Sequence, residues 1–234
     1  DFLAKTTIIA TTPPPTNPPP VIPPTTPPPT SSVSAYWVST QGNDSNPCTK
    51  TVTPQTTGAK KTIAAGQNCL SPSDTLFIRS GTYAEMIDNI PSGTSANRTT
   101  VAGYTAETVT LKPLSCVKDS IISYDAQYTL IDNLVIDAVN MDCGQWWSYG
   151  VQFKNAFNRI QNSEIKNSRY GVGIGGGDAS HSNVYSGLKI HDNGLSDFEH
   201  GIYLWTDNNI IENSEIYNNA GWGIHFYPKG ANNI

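Results

Sequence analysis

Charge is scarce in this sequence: Lys, Arg, Asp and Glu make up only 14% of 234 residues. Long solvated helices, which keep a charged outer face, are therefore not expected. No basic run exists and the formal net charge is −5. That excludes the clustered Lys/Arg footprint of a nucleic-acid-binding surface. An acidic ligand would have to be met by local cations, because the overall field repels it. No apolar stretch reaches the roughly 20 residues that span a bilayer, so no membrane span is expected. No leader peptide is visible either. The chain begins at Asp1, which fits prior removal of a leader.

Cysteine is sparse but even in number: Cys48, Cys69, Cys116 and Cys143. An even count beside a mucin-like segment favours an oxidising compartment and a secreted or cell-surface protein. Four cysteines allow three pairings. Cys48–Cys69 and Cys116–Cys143 are preferred because each is local, with four buried thiols as the alternative. Asn43-Asp-Ser45 and Asn97-Arg-Thr99 are N-glycosylation sequons, a short pattern that also arises by chance.

Proline is unevenly spread. Eleven of the 17 prolines lie between Pro13 and Pro29, in TTPPPTNPPPVIPPTTPPPT. Proline fixes φ and removes the amide donor, so this stretch cannot build helix or sheet ladders. An extended polyproline II stalk over residues 13–34 follows, at about 3 Å per residue, with its threonines open to O-glycans. Residues 1–12 begin DFLAKTTIIA, apolar and β-branched. They form either a frayed end or a strand that docks on another subunit's sheet edge.

The remaining residues, 35–234, carry a repeat. Gly150-Val-Gln-Phe, Gly171-Val-Gly-Ile, Gly201-Ile-Tyr-Leu and Gly223-Ile-His-Phe recur at spacings of 21, 30 and 22 residues. Strand alternation sends Val151/Phe153, Val172/Ile174, Ile202/Leu204 and Ile224/Phe226 inward. A second register agrees with the first. Asn133-Leu-Val-Ile136, Asn162-Ser-Glu-Ile165, Gly187-Leu-Lys-Ile190 and Asn213-Ser-Glu-Ile216 recur at 29, 25 and 26 residues. The isoleucines make a core column. The Asn/Asn/Gly/Asn column suits a turn that needs the left-handed conformation, and stacked amides there can form a ladder. Asp207-Asn-Asn-Ile210 returns as Ala231-Asn-Asn-Ile234. Such units bury an apolar face only by stacking on their neighbours. The expected fold is all-β: a right-handed parallel β-helix.

The segment HGIYLWTDNNIIENSEIYNNAGWGIHFY resembles the repeat of the pectate-lyase-like superfamily of secreted β-helix proteins. Upstream, YWVSTQGNDSNPC and KKTIAAGQNCLSPSDTLFIRSGTYAEMI resemble the first coil of many members. The resemblance implies a short capping helix near Thr62–Asn68 and a strand ending in Arg79-Ser-Gly-Thr-Tyr83. It covers residues 36–234 and is specific for fold and weak for chemistry. The chain stops at Ile234 in mid-coil, so the expectation is that it continues or that another subunit covers the open edge.

Outward positions of the glycine-led strands stack into two columns. One is Gln152, Gly173, Tyr203 and His225; the next is Lys154, Gly175, Trp205 and Tyr227. The glycines leave a hollow beside an aromatic shelf, and aromatic faces pack on sugar rings. Two long loops, 175–181 and 191–200, bring Asp178, His181, Asp192, Asp197, Glu199 and His200 toward it. Superfamily members acting on uronic-acid polymers need a cation for the carboxylate, a base for the C5 proton and an acid for the leaving oxygen. On that resemblance Asp178, Asp192, Asp197 and Glu199 are candidate Ca²⁺ ligands. His200 or His225 is the candidate base and Tyr203 the acid. Trp205, Tyr227, Lys154, Arg169 and Gln152 are candidate substrate contacts, with Lys166 a further nearby cation. Each has a plainer reading: Gly-Asp loops are ordinary turns, and His200 occupies the position of Tyr149, Tyr170 and Trp222 in other coils.

Two functional classes follow. One is an extracellular carbohydrate-active protein, a lyase or epimerase on an acidic polysaccharide. The other is a noncatalytic structural or adhesive protein that polymerises through residues 1–12, or a tethered glycan-binding module.

Overall fold

A computed structural model of the chain describes residues 33–114, 120–139, 149–174, 179–227 and 232–234. The expected docking peptide, nearly all of the stalk, Cys116, Cys143, Gly175 and Asp178 lie outside the described residues.

Three parallel sheets run along one axis. The first stacks Tyr36–Val38, Thr75–Ile78, Thr99–Gly103, Thr129–Asp132, Arg159–Gln161, Val184–Ser186 and Ile210–Glu212. The second stacks Gly81–Tyr83, Val109–Leu111, Val135–Asp137, Glu164–Lys166, Lys189–His191 and Glu215–Tyr217. The third stacks Ile122–Tyr124, Tyr149–Phe153, Tyr170–Ile174, Ile202–Leu204 and Ile224–Phe226. Each full coil contributes one short strand to each sheet, and the strand pairs within the sheets are parallel. This is the right-handed parallel β-solenoid that the period predicts.

The register is the one the repeat implies. Ile136, Ile165, Ile190 and Ile216 are paired in sequence across the second sheet. Val151, Val172, Ile202 and Ile224 are paired across the third. Val151, Phe153, Ile165, Ile190, Ile202 and Leu204 are fully buried. Each such side chain contributes about 1.5–3 kcal/mol by leaving water. Apolar area accumulates coil by coil, which is why an isolated repeat cannot fold.

The repeat glycines have a physical cause. A Cβ on Gly171 would lie 2.4 Å from the carbonyl oxygen of Gly201, and one on Gly201 would lie 2.7 Å from that of Gly223. Neighbouring coils approach so closely here that only hydrogen fits. The turn column also behaves as expected: Asn133, Asn162, Gly187 and Asn213 have φ of 54°, 49°, 63° and 51°. Asparagine tolerates this region better than other residues with a side chain.

One expectation is corrected. The asparagine ladder is not in that turn column. The Asn133 amide donates to the carbonyls of Gly103 and Tyr104, and the Asn162 amide to Asp132. The ladder runs instead through the buried Asn158, Asn183 and Asn209 to Asn233. Each side-chain oxygen accepts the backbone N–H of the residue one coil earlier. A shorter ladder links Ser168, Asn193 and Asn219. In the turn column the side-chain amides reach back to oxygens of the preceding coil. In the buried corners the side-chain oxygens accept backbone N–H groups of the preceding coil that are shielded from solvent.

A five-residue helix, Ile63–Gln67, begins after Thr62, whose hydroxyl accepts the N–H of Ala65. Ile63 is fully buried, and Gly66 lies against Val38 and Leu76. Cys48 and Cys69 form the preferred local disulfide. Arg79 forks onto Glu107, one coil later, with nitrogen–oxygen distances of 2.6–2.9 Å. That pairing holds the Glu107 carboxyl below its ordinary pKa. Among the described residues no helix is long and apolar enough to cross a membrane.

Candidate functional site

Strand alternation sets which residues of the third sheet face outward. Gln152, Gly173, Tyr203 and His225 are paired in register on successive strands, so the first predicted column exists. Gln152, Tyr203 and His225 are half-buried. Two residues further along, Lys154 and Trp205 are half-buried and Tyr227 is exposed. Tyr227 donates its N–H to Leu204, which continues the register into the second column.

These side chains make a contiguous aromatic strip. The Tyr203 ring stands 4.9 Å from Trp205, 5.0 Å from His225 and 5.9 Å from Tyr227. Trp222, an exposed residue that the sequence marks only as a member of a stacking column, lies 4.8 Å from His225. Its place one residue before a repeat glycine is the signal that could have found it. The contacts are mostly edge-to-face, the geometry favoured by ring quadrupoles. Burial, with Tyr227 nearby, pushes the Tyr203 hydroxyl above its ordinary pKa, so it keeps its proton at neutral pH.

His200 lies beneath this strip and is 3% exposed. Its ring is parallel to Tyr203 at 5.9 Å and to Trp222 at 5.4 Å, and edge-on to Tyr170 and His225. It therefore occupies the stacking column that Tyr149 and Tyr170 begin. Nδ1 of His200 accepts the backbone N–H of Trp222 at 3.0 Å, and Nε2 is 2.8 Å from Nδ1 of His225. Burial, then the neighbouring His225, holds the His200 pKa below its ordinary value, with Glu199 opposing.

The acidic residues are not gathered beside it. Glu199 is fully buried, accepts the N–H of Leu195 at 2.5 Å and pairs with Arg169. The Arg169 guanidinium is thus directed at an internal carboxylate. Asp192 bonds His191 at 2.7 Å beside the second sheet. His181 packs edge-on against Phe157, near the first sheet. Asp197 is exposed, and Asp178 lies outside the described residues. Among the described residues no group of three His, Cys, Asp or Glu side chains could hold a metal ion. Lys166 pairs with Glu164 at 2.5 Å. Both sequon asparagines, Asn43 and Asn97, are exposed.

The sequence flagged neither of two further features. His191 is held between Asp192 and Glu164 and stacks on Tyr217 at 4.7 Å. A groove of about 370 Å³ crosses the coils where the left-handed Asn133, Asn162 and Gly187 turn, flanked by Glu107, Glu164 and Lys189.

A family model for the right handed beta helix region matches residues 118–234. In structure the chain is similar to a pectate lyase, Pel9A, with a TM-score of 0.65 and 15% identity, over 85% of this chain and 52% of that one. It is also similar to the ORF18 protein of Geobacillus virus E2, with a TM-score of 0.50 and 17% identity, over 74% of this chain and 37% of that one. The chain therefore spans about half the length of the pectate lyase. At these identities the likeness is one of fold. No curated protein sequence matches the chain.

Proposed function

The chain belongs to the right-handed beta helix family, and on that premise we propose that it is a carbohydrate-active protein binding an acidic polysaccharide along the outward aromatic strip of the third sheet. One observation carries the reading. Tyr203, Trp205, His225, Tyr227 and Trp222 form a connected, solvent-facing aromatic surface parallel to the axis. Solvent-facing aromatics in a contiguous patch mark binding surfaces. Their faces take the apolar sides of sugar rings while hydroxyl and ring N–H tips reach sugar oxygens. Lys154 and Gln152 flank the strip and supply a cation and an amide for a uronate carboxylate.

Lyase or epimerase chemistry on such a polymer needs a cation, an acid and a base. In this reading Lys154 neutralises the carboxylate, and Tyr203 is the acid for the leaving oxygen. His200 is left out of this acid–base set, since its Nδ1 accepts the Trp222 N–H and its Nε2 faces His225. The Cys48–Cys69 disulfide supports an oxidising, extracellular setting.

The test is affinity electrophoresis of the purified chain through gels containing pectate, alginate or hyaluronan. It is paired with an ultraviolet assay for new unsaturated sugar ends. Retardation by an acidic glycan, reduced in Trp205→Ala, is expected. Migration unchanged in every gel, with no absorbance, overturns the reading. The ultraviolet signal separates binding alone from β-elimination.

A further inference from the structure

The hydrogen atoms of the two stacked histidines can be placed by elimination. The Trp222 amide hydrogen cannot leave its nitrogen, so Nδ1 of His200 is an acceptor. A neutral imidazole carries one ring hydrogen. In His200 it must therefore sit on Nε2, directed at Nδ1 of His225 2.8 Å away. Nδ1 of His225 is then also an acceptor, and the one hydrogen of neutral His225 sits on Nε2. The reverse assignment would leave His200 with no ring hydrogen at all.

An added proton has no comfortable place. On His200 it must go to Nδ1, against the Trp222 N–H. On His225 it must go to Nδ1, against the His200 N–H. Tyr170, Tyr203 and Trp222 surround the His200 ring and offer no anionic partner. The nearest carboxylate, Glu199, is turned to Arg169 and the Leu195 N–H. Tyr203 and Tyr227 face His225 as neutral rings.

We propose that His200 is a positioning residue that fixes His225 as a neutral imidazole with its hydrogen on Nε2, so that the aromatic strip offers a bound glycan a hydrogen-bond donor and not a base. The ligand group that meets it is an acceptor oxygen, a carboxylate or a hydroxyl. This rests on the glycan-binding reading of the same strip, and it narrows that reading: the C5 proton of a uronate is not removed by this pair.

The experiment is long-range proton–nitrogen correlation NMR on the ¹⁵N-labelled full chain without glycan, where each tautomer gives its own pattern. Both His200 and His225 are expected as Nε2–H tautomers at pH 7. His200→Phe keeps a ring in the stack and removes both nitrogens. There His225 should become a mixture of the two neutral tautomers, because nothing then holds a hydrogen off its Nδ1. His200→Gln can accept from Trp222 and donate to His225, so it should restore the Nε2–H form. An Nδ1–H or cationic His225 in the native protein at pH 7 overturns the proposal. So does a His225 pattern unchanged in folded His200→Phe. The native spectrum decides alone where that variant does not fold.

Because these spectra need no ligand, failure of glycan binding leaves them standing. Oligogalacturonate is then added as the probe. A shift of the Nε2 resonance is expected, together with about tenfold weaker binding in His225→Phe, the loss of one hydrogen bond to a charged or polar oxygen. A parallel titration with the methyl-esterified oligomer separates the sources: a shift with the acid alone identifies a carboxylate, and a shift with both a hydroxyl. Movement of Nδ1 without Nε2 overturns the donor assignment.

Discussion

The side-chain oxygen of Asn183 accepts the backbone N–H of Asn158 at 2.8 Å, one coil and 25 residues earlier in the chain. Both residues are fully buried. Asn209 does the same for Asn183 at 3.0 Å, so a column of amides fastens coil to coil one residue before each strand of the first sheet begins. Removing one member leaves a buried N–H without a partner, which costs about 1–3 kcal/mol beyond the lost contact. Asn183→Ala should therefore lower the urea midpoint of unfolding by the equivalent of about 2 kcal/mol or more. Asn162→Ala, in the exposed turn column, should cost well under half as much. Equal costs would refute the ladder's role.

The repeat glycines give a paired test. Gly171→Ala puts a methyl group 2.4 Å from the Gly201 carbonyl oxygen, and backbone on both sides must move. A cost of about 1–3 kcal/mol is expected, as for overpacked cores. In Gly223 the nearest atom to an added Cβ is the Ile216 Cγ2 at 3.4 Å, an ordinary contact. Gly223→Ala should be close to neutral in the same denaturation assay.

On the aromatic strip, Trp205→Ala and Tyr227→Ala should each weaken binding of an acidic oligosaccharide about three- to tenfold, the worth of one aromatic contact. Circular dichroism should be unchanged, because neither ring belongs to the buried core. Isothermal titration calorimetry reads the affinity directly. Unaltered affinity in both variants would move the ligand off this face.

Acid should weaken the coil beneath the strip. The His200 pKa is lowered in the folded protein, chiefly by burial. A depressed pKa means that the unfolded chain binds the proton more readily, so this group's stabilisation is complete above about pH 6.5 and is lost as pH falls through the folded value. The urea midpoint of the native chain should drop between pH 7 and pH 5 by more than that of His200→Gln. Identical pH profiles would show that the buried imidazole contributes nothing.

Cys48 and Cys69 are separated by 21 residues, and closing a loop of that size stabilises by about 3 kcal/mol in the chain-entropy account. Cys48→Ser combined with Cys69→Ser should lower the melting temperature by several degrees. Added reductant should reproduce the shift in the native chain and leave the double variant unaffected.

Much of the fold is legible in particular residues. Glycine followed by alternating apolar residues marks the third sheet, and the isoleucines at 136, 165, 190 and 216 mark the core of the second. Both patterns are local: alternation and left-handed turns are imposed on each coil by its own backbone. The outward columns follow from the same alternation, which is why the repeat spacing alone pairs Tyr203 with His225 correctly. The acidic set fails for the complementary reason. Asp192, Glu199 and His181 are close in sequence, but each sits at a different corner of the coil and faces a different neighbour. Closeness along a solenoid chain says little about closeness around its axis.

The sequence by itself determined the period, the buried columns and the residues able to adopt the left-handed turn, since these depend on side chain and backbone within one coil. Only the tertiary structure decided which buried amides form the ladder, that Arg169 is matched to Glu199, and which nitrogen of His200 faces His225. Those choices are made between coils 25 to 30 residues apart, where loop lengths differ and a single residue of offset exchanges one partner for another.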